Sequence, residues 1–362
     1  MLTRKYYHHI AGLKGISCIF IMIGHFIQIY KNAQSFQLNS PMFDAILSSK
    51  FSFLISAEYW LYLFIIISGY LVAKSKINTI KDVVIKSITR FFRFALPILF
   101  AYLVIYLIYI LLGFHNCETI NLFKCDWYQS YYLDQYSIKD VLIGPINVLF
   151  LGDCVLNAPY WVLRLMFFTS ILIYILKYLY MRFSKKNENI CFTLMVIITI
   201  LSTFVSPVIT TCLLGMLISI CEDTELVKKS YFVFWFLVIT MLLYVASPIY
   251  ISSIFFGSLI IFAPKVKLIN DFLSSKFIGF LEKISWGVYS FHWALMCSAG
   301  AIFIIALQSK LSLFTSYILA CILVVFITLI VSIIYNYTFE RLSSFLLSKI
   351  DICVKQIFHK CF

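Results

Sequence analysis

Lys14 and His25 stand at i and i+11 inside one long apolar run. Eleven residues make about three helical turns, so both side chains face one way, about 16 Å apart along the axis. Imidazole is the side chain best suited to take a proton near neutral pH. A cation at one end and a base at the other suit a ligand with an anionic head and a long thin arm, the shape of a coenzyme A thioester. The same residues are also accounted for by a His25 that bonds a neighbouring helix and a Lys14 that snorkels to head groups. Helix geometry alone leaves both readings open.

Three further groups could join such chemistry. Arg90 and Arg93 stand at i, i+3, one helix face, at the end of a basic segment carrying Lys74, Lys76, Lys81 and Lys86. Read as the close of a loop, they could clamp phosphate with planar donors or merely anchor the chain at lipid head groups. Ser285, Tyr289 and His292 stand at i, i+4 and i+7, one polar stripe ending in an intramembrane His. Such a stripe faces a bundle interior or a cavity rather than lipid, and helix-to-helix bonding serves as well as substrate contact. Among single residues, Glu58 could orient His25, Ser68-Gly69 could admit a close helix neighbour, and Trp161 with Arg164 could anchor a helix at the interface. Glu340 beside Arg341 reads as a helix-end ion pair.

The elements that must position these residues follow from composition. Hydrophobic residues make up 62% of the 362 and charged ones only 12%, against about 25% charged in soluble domains. Apolar runs of membrane-spanning length recur along the chain, so the expected fold is all-α, a polytopic helix bundle of about ten spans. The expected spans are 10–30, 51–73, 94–113, 159–180, 190–204, 207–221, 231–247, 249–264, 284–307 and 313–338. Val141–Gly152 is too short to span and reads as re-entrant or interfacial. The expected organisation is one membrane domain, 1–348, and a short tail, 349–362, with no internal repeat.

The net charge of +13 would suggest nucleic acid in a soluble protein. Here Lys and Arg cluster between apolar runs, and no nucleic-acid motif accompanies them. With both termini in the cytoplasm, only Lys31, Lys50, Lys124, Lys139, Arg164 and Lys310 fall on the outer side, as the positive-inside rule requires. The basic N-terminus reads as an uncleaved signal anchor. This orientation places the long loop His115–Ala158 outside. Cys117 and Cys125 share that loop and could pair there or remain free thiols. The other cysteines lie mostly in apolar runs, and no Cys/His metal pattern is present.

Taken in order, six segments resemble the acyltransferase-3 family of membrane acyltransferases. Lys14 with His25 resembles its opening motif of a cation, ten residues and His. Phe64–Tyr70 resembles its apolar-Ser-Gly-aromatic segment, and Arg90-x-x-Arg93 with Pro97 its Arg-x-x-Arg motif. Tyr160–Leu163 resembles its Trp-x-Leu segment, Ile284–His292 its Ile-Ser-Tyr-x-x-Tyr-x-x-His segment, and Phe339-Glu340-Arg341 its final Glu-Arg. Lys14 stands where Arg is commoner, Met166 where many members have Glu, and Leu342 where many have Pro. The resemblance implies an O-acyltransferase of the bacterial cytoplasmic membrane with no bound cofactor and no metal. It would take acetyl from cytoplasmic acetyl-CoA to a hydroxyl of an envelope polysaccharide or lipid-linked glycan. His25 would be catalytic, as base or acyl relay. Lys14, Arg90 and Arg93 would bind the CoA end. Glu58, Ser68, Trp161, Arg164, Ser285, Tyr289, His292 and Glu340 would shape the cavity or the acceptor side. The rival readings are another acyl donor such as succinyl-CoA, a non-glycan acceptor, a transporter that does no chemistry, and a binding or sensory protein in which His25 is dispensable.

Overall fold

Backbone N–H and C=O groups in hydrocarbon find no water, so a spanning chain must satisfy them internally, as a helix does. The computed structural model describes residues 8–49, 52–223, 260 and 263–361, and among them every regular element is helical. The helices that frame the site and its surroundings are α1 (His8–Asn32), α2 (Ala57–Ala73), α3 (Ile80–Leu112), α4 (Ile138–Ile146), α5 (Trp161–Leu201), α6 (Pro207–Asp223), α7 (Lys276–Leu295), α8 (Ala301–Leu307), α9 (Leu313–Tyr335) and α10 (Arg341–Cys361). Six helical stretches are long and apolar enough to cross a membrane, and Ala57–Ala73 and Pro207–Glu222 are shorter apolar helices. The chain is a multi-pass membrane protein.

Several boundaries differ from the expected spans. Helix α3 starts at Ile80 rather than 94, so Arg90 and Arg93 lie three turns inside a helix and do not close a loop. The cause is local: the Asp82 carboxylate accepts from the Thr79 N–H at 2.9 Å while Thr79 Oγ1 accepts from the Asp82 N–H at 3.2 Å. This capping box satisfies orphan donors at the helix start, and the Lys and Arg that follow are good helix formers. The expected spans 159–180 and 190–204 run together as α5, with one non-helical residue, Asn187, marking the break. Spans 51–73 and 284–307 begin instead at Ala57 and Lys276. The last span does not stop at 338 but passes through a π turn, Asn336–Glu340, into α10, so residues 349–361 are helical as well. The expected spans 231–247 and 249–264 lie outside the described residues, apart from single positions at the end of the second. Val141–Gly152 is a short helix closed by a π turn, Asn147–Leu151. Cys117 and Cys125 are free thiols.

Helix α1 packs against α2 and α7, α2 against α6, α7 against α9, and α3 against α5 and α10. Small residues set the closest of these approaches. A Cβ at Gly69 would strike the Cys212 carbonyl, and one at Gly215 would strike the Ile66 carbonyl and the Tyr70 amide. The two glycines therefore let α2 and α6 meet backbone to backbone, the device that membrane helices use where water does not drive association. The Ser68-Gly69 reading is met at this contact.

The segment between α3 and α5 is folded rather than slack. Asn116 Nδ2 donates to the carbonyls of Tyr128 at 3.0 Å and Tyr131 at 2.7 Å. A third π turn, Met296–Gly300, sits between α7 and α8. Two of its carbonyls accept from this segment: Met296 from the Tyr128 hydroxyl at 2.9 Å and Cys297 from the His115 N–H at 2.8 Å. The widened turn thus holds the loop over one end of α1 and α7.

Candidate active site

The site is built from four helices and the folded loop. On α1, Ile21, Gly24, His25, Gln28 and Lys31 follow helical spacing and line one face of a cavity of about 380 Å³. Helix α2 brings Ala57 and Glu58 to the same cavity, and the start of α5 brings Pro159 and Trp161. Helix α7 contributes Tyr289 and Trp293, and the folded loop contributes Trp127 and Tyr131. Gly24 has a packing reason: a Cβ there would overlap the backbone of Ala57, so its absence draws α2 up against the turn that carries His25.

His25 and His292 meet directly. His25 Nδ1 lies 2.7 Å from His292 Nε2, the ring centres are 5.0 Å apart and the ring planes differ by 18°. The second ring nitrogen of His292, Nδ1, lies 2.8 Å from the Val288 carbonyl, which can only accept. The hydrogen-bond network therefore assigns the tautomers. His292 carries its proton on Nδ1, its Nε2 accepts, and His25 donates from Nδ1. His25 Nε2 is left with its lone pair and has no hydrogen-bond partner among the described residues. An imidazole fixed in this way presents a base, not an acid, and the hydrogen bond at the other nitrogen sets its orientation. His292 is fully buried and does not itself line the cavity.

The surrounding side chains hold this pair. The Tyr289 hydroxyl donates to the Pro159 carbonyl. Ser290, next to it, bonds Tyr160 at 2.6 Å and accepts at its carbonyl from Asn157 Nδ2 at 3.1 Å. These bonds tie α7 to the start of α5. The Tyr317 hydroxyl donates to the Phe26 carbonyl, one residue beyond His25.

The predicted site residues fall into separate groups. His25, Glu58, Trp161 and Tyr289 share the cavity, with His292 behind His25. Lys14 lies at the opposite end of α1, within electrostatic reach of Glu340, whose Oε2 is buried and has no partner among the described residues. Ser285 belongs to that end, donating to the Glu282 carbonyl at 2.7 Å. Arg90 reaches inward from α3, donating to Ser68 Oγ at 3.0 Å and Ser170 Oγ at 3.1 Å, with its guanidinium 4.6 Å from the centre of the Phe94 ring. No carboxylate pairs with it among the described residues. Arg93 is exposed. Arg164 donates to the Leu151 carbonyl at 3.2 Å and so caps the π turn that follows α4.

Sequence reasoning missed Gln28, Trp127, Tyr131 and Trp293. Gln28 and Lys31 could have been found by extending the Lys14–His25 stripe by two turns. Trp127 and Tyr131 could not, because only the folded loop brings them within reach of His25; the Trp127 ring centre lies 6.4 Å from that of His25. Between Lys14 and His25 the bundle is closed: Cys18 and Met22 are 0% exposed.

A base held at the floor of an aromatic, partly polar cavity, in a helical membrane bundle, is suited to activating a hydroxyl. A family model described as an acyltransferase domain matches residues 7–337. No curated protein and no solved structure matches the chain. The matched stretch takes in five of the six segments, all but Phe339-Glu340-Arg341 just past its end, and nearly the whole chain, so the chain belongs to the acyltransferase-3 family and is a membrane acyltransferase.

Proposed function

We propose that the protein moves an acetyl group from cytoplasmic acetyl-CoA to a hydroxyl of a cell-envelope glycan in the bacterial cytoplasmic membrane. The observation that carries this reading is the free Nε2 of His25, fixed by His292 at the floor of the cavity. The acceptor hydroxyl gives its proton to Nε2, and its oxygen attacks the thioester carbonyl carbon. CoA leaves as a thiolate and takes the proton back from Nε2.

The cavity supports a sugar acceptor. Trp127, Tyr131 and Trp161 offer flat apolar faces, and Gln28, Lys31 and Glu58 offer polar contacts at the same site. With both termini in the cytoplasm, this end of α1 faces outward, where a lipid-linked glycan lies. Lys14, Arg90 and Arg93 serve the donor, since guanidinium and ammonium groups match its phosphates. Arg90 supports this most, being inward-facing with two neutral hydroxyls and the Phe94 ring as its partners among the described residues. The packed stretch around Cys18 and Met22 requires α1 and its neighbours to part before the pantetheine arm reaches His25.

The test is expression of the wild type and His25→Ala in cells lacking glycan acetylation, followed by mass analysis of the envelope glycans. An acetyl increment with the wild type alone supports the reading. Equal increments with both remove His25 from the chemistry, and a different acyl mass would identify another donor.

A further inference from the structure

Acyl transfer through an addition step places negative charge on the former carbonyl oxygen, and a base alone does nothing for it. Donors aimed at that oxygen are commonly the largest single contribution to such catalysis. Among the described residues, one cavity-lining side chain has a fully buried donor without a hydrogen-bond partner. Trp293 is 1% exposed and lines the cavity beside His25, with ring centres 5.7 Å apart and an edge-on arrangement. Its Nε1 is buried and has no hydrogen-bond partner among the described residues. A buried N–H left unpaired costs about 1–3 kcal/mol, and native structures keep few such groups. Trp286 is within hydrogen-bonding reach of the Tyr335 hydroxyl and does not line the cavity. Trp127 lines the cavity, yet its indole is within hydrogen-bonding reach of Tyr131.

We propose that the Trp293 indole N–H, unpaired and buried beside His25, is the oxyanion donor of the acyl transfer. This rests on the acetyl-transfer reading above. The acceptor O–H proton passes to His25 Nε2 as the oxygen lone pair bonds to the carbonyl carbon. The C=O π pair moves to oxygen, and Trp293 donates to that oxyanion. Collapse re-forms C=O and breaks C–S, and the thiolate takes the proton from Nε2. Trp293 and His292 are chain neighbours, so one turn of α7 carries both the group that orients the base and the group that receives the charge. The competing receiver of the N–H is the face of Tyr131, whose ring centre is 5.3 Å away at 87°.

The experiment uses the full chain in detergent, acetyl-CoA, and the envelope glycan fraction as acceptor, with thiol release and glycan acetylation both followed. Trp293→Phe keeps a ring and deletes the donor, and its kcat is expected to fall about 100-fold with KM for acetyl-CoA within about threefold. Trp286→Phe, the control, deletes an indole N–H outside the cavity and is expected to keep kcat within about threefold. Wild-type kcat in Trp293→Phe, or an equal loss in both variants, overturns the proposal. A second measurement needs no folded variant. Wild-type turnover of dithioacetyl-CoA, whose sulfur accepts hydrogen bonds poorly, is compared with acetyl-CoA after normalising both to hydroxide cleavage in solution. A tenfold or greater preference for the oxygen compound is expected, and no preference overturns the proposal. Absence of any acetyl transfer by the wild type overturns the acetyl-transfer reading, and the proposal falls with it; transfer with unchanged Trp293→Phe kinetics defeats the proposal alone.

Discussion

Replacing His292 tests whether one imidazole prepares the other. His292→Ala removes the acceptor 2.7 Å from His25 Nδ1 and leaves that N–H unpaired in a largely apolar site. The cost of a buried unpaired donor is about 1–3 kcal/mol. The ring of His25 can recover part of it only by turning, or by moving its proton to Nε2, and either change spoils the base. At about 1.4 kcal/mol per tenfold, kcat should fall about 5- to 150-fold. KM for the acyl donor should hold, because His292 is fully buried behind His25 and away from the Lys14 end. His292→Gln restores an acceptor in nearly the same place and should recover much of the rate. The assay is initial-rate kinetics of acetyl transfer, with thermal unfolding as a control for folding. A wild-type kcat in His292→Ala, or a Gln variant no better than Ala at equal stability, would refute the reasoning.

Arg90→Ala should raise KM for acetyl-CoA about tenfold or more, the scale of a charge-assisted bond of about 1.5–3 kcal/mol, with kcat changed less. Arg93→Ala, on an exposed side chain, should change KM less; steady-state kinetics at varied donor concentration decide both. Gly215→Leu forces side-chain atoms into the Ile66 carbonyl and Tyr70 amide, so the α2–α6 contact should open at a cost of about 1–3 kcal/mol or more. Size-exclusion yield and melting temperature in detergent read it. At the start of α4, the Ser137 hydroxyl and N–H donate to Asp140, at 2.7 and 2.8 Å, and hold its carboxyl below the ordinary value. Because the folded state lowers that pKa, the contribution is full above about pH 4 and is lost as pH falls through the lowered value. Asp140→Asn should therefore lower the melting temperature at pH 7, by about 1 kcal/mol or less at so solvent-facing a cap. The gap from wild type should close in acid, as tryptophan fluorescence melts will show.

Much of the fold is legible in the sequence because the hydrocarbon core allows few alternatives. Long apolar runs become helices, and α1 appears as its spacing requires, with Lys14 and His25 on one continuous rod. Boundaries are less legible where polar residues continue a helix. Lys81, Lys86 and Arg90 read as loop by charge, yet the Thr79–Asp82 cap starts α3 ahead of them. The junction near Asn187 reads as a loop, and the chain passes it with one turned residue. Of the site, the Ser285-Tyr289-His292 stripe was visible as a polar face, but its partner was not. That His292 meets His25 depends on the α1–α7 crossing, which periodicity on one helix does not encode. The aromatic wall depends on the π turn at Met296–Gly300 and the folded loop, neither of which has a simple spacing signal.

The central claim is that His25 Nε2 is the base of the acyl transfer. Its most direct measurement is the rate of acetyl transfer by purified His25→Ala against wild type, with donor and acceptor saturating and both proteins shown to be folded. A general base contributes about 100- to 10,000-fold, so the variant should lose at least about 100-fold in kcat. A His25→Ala protein that transfers acetyl within about threefold of the wild-type rate would contradict the account.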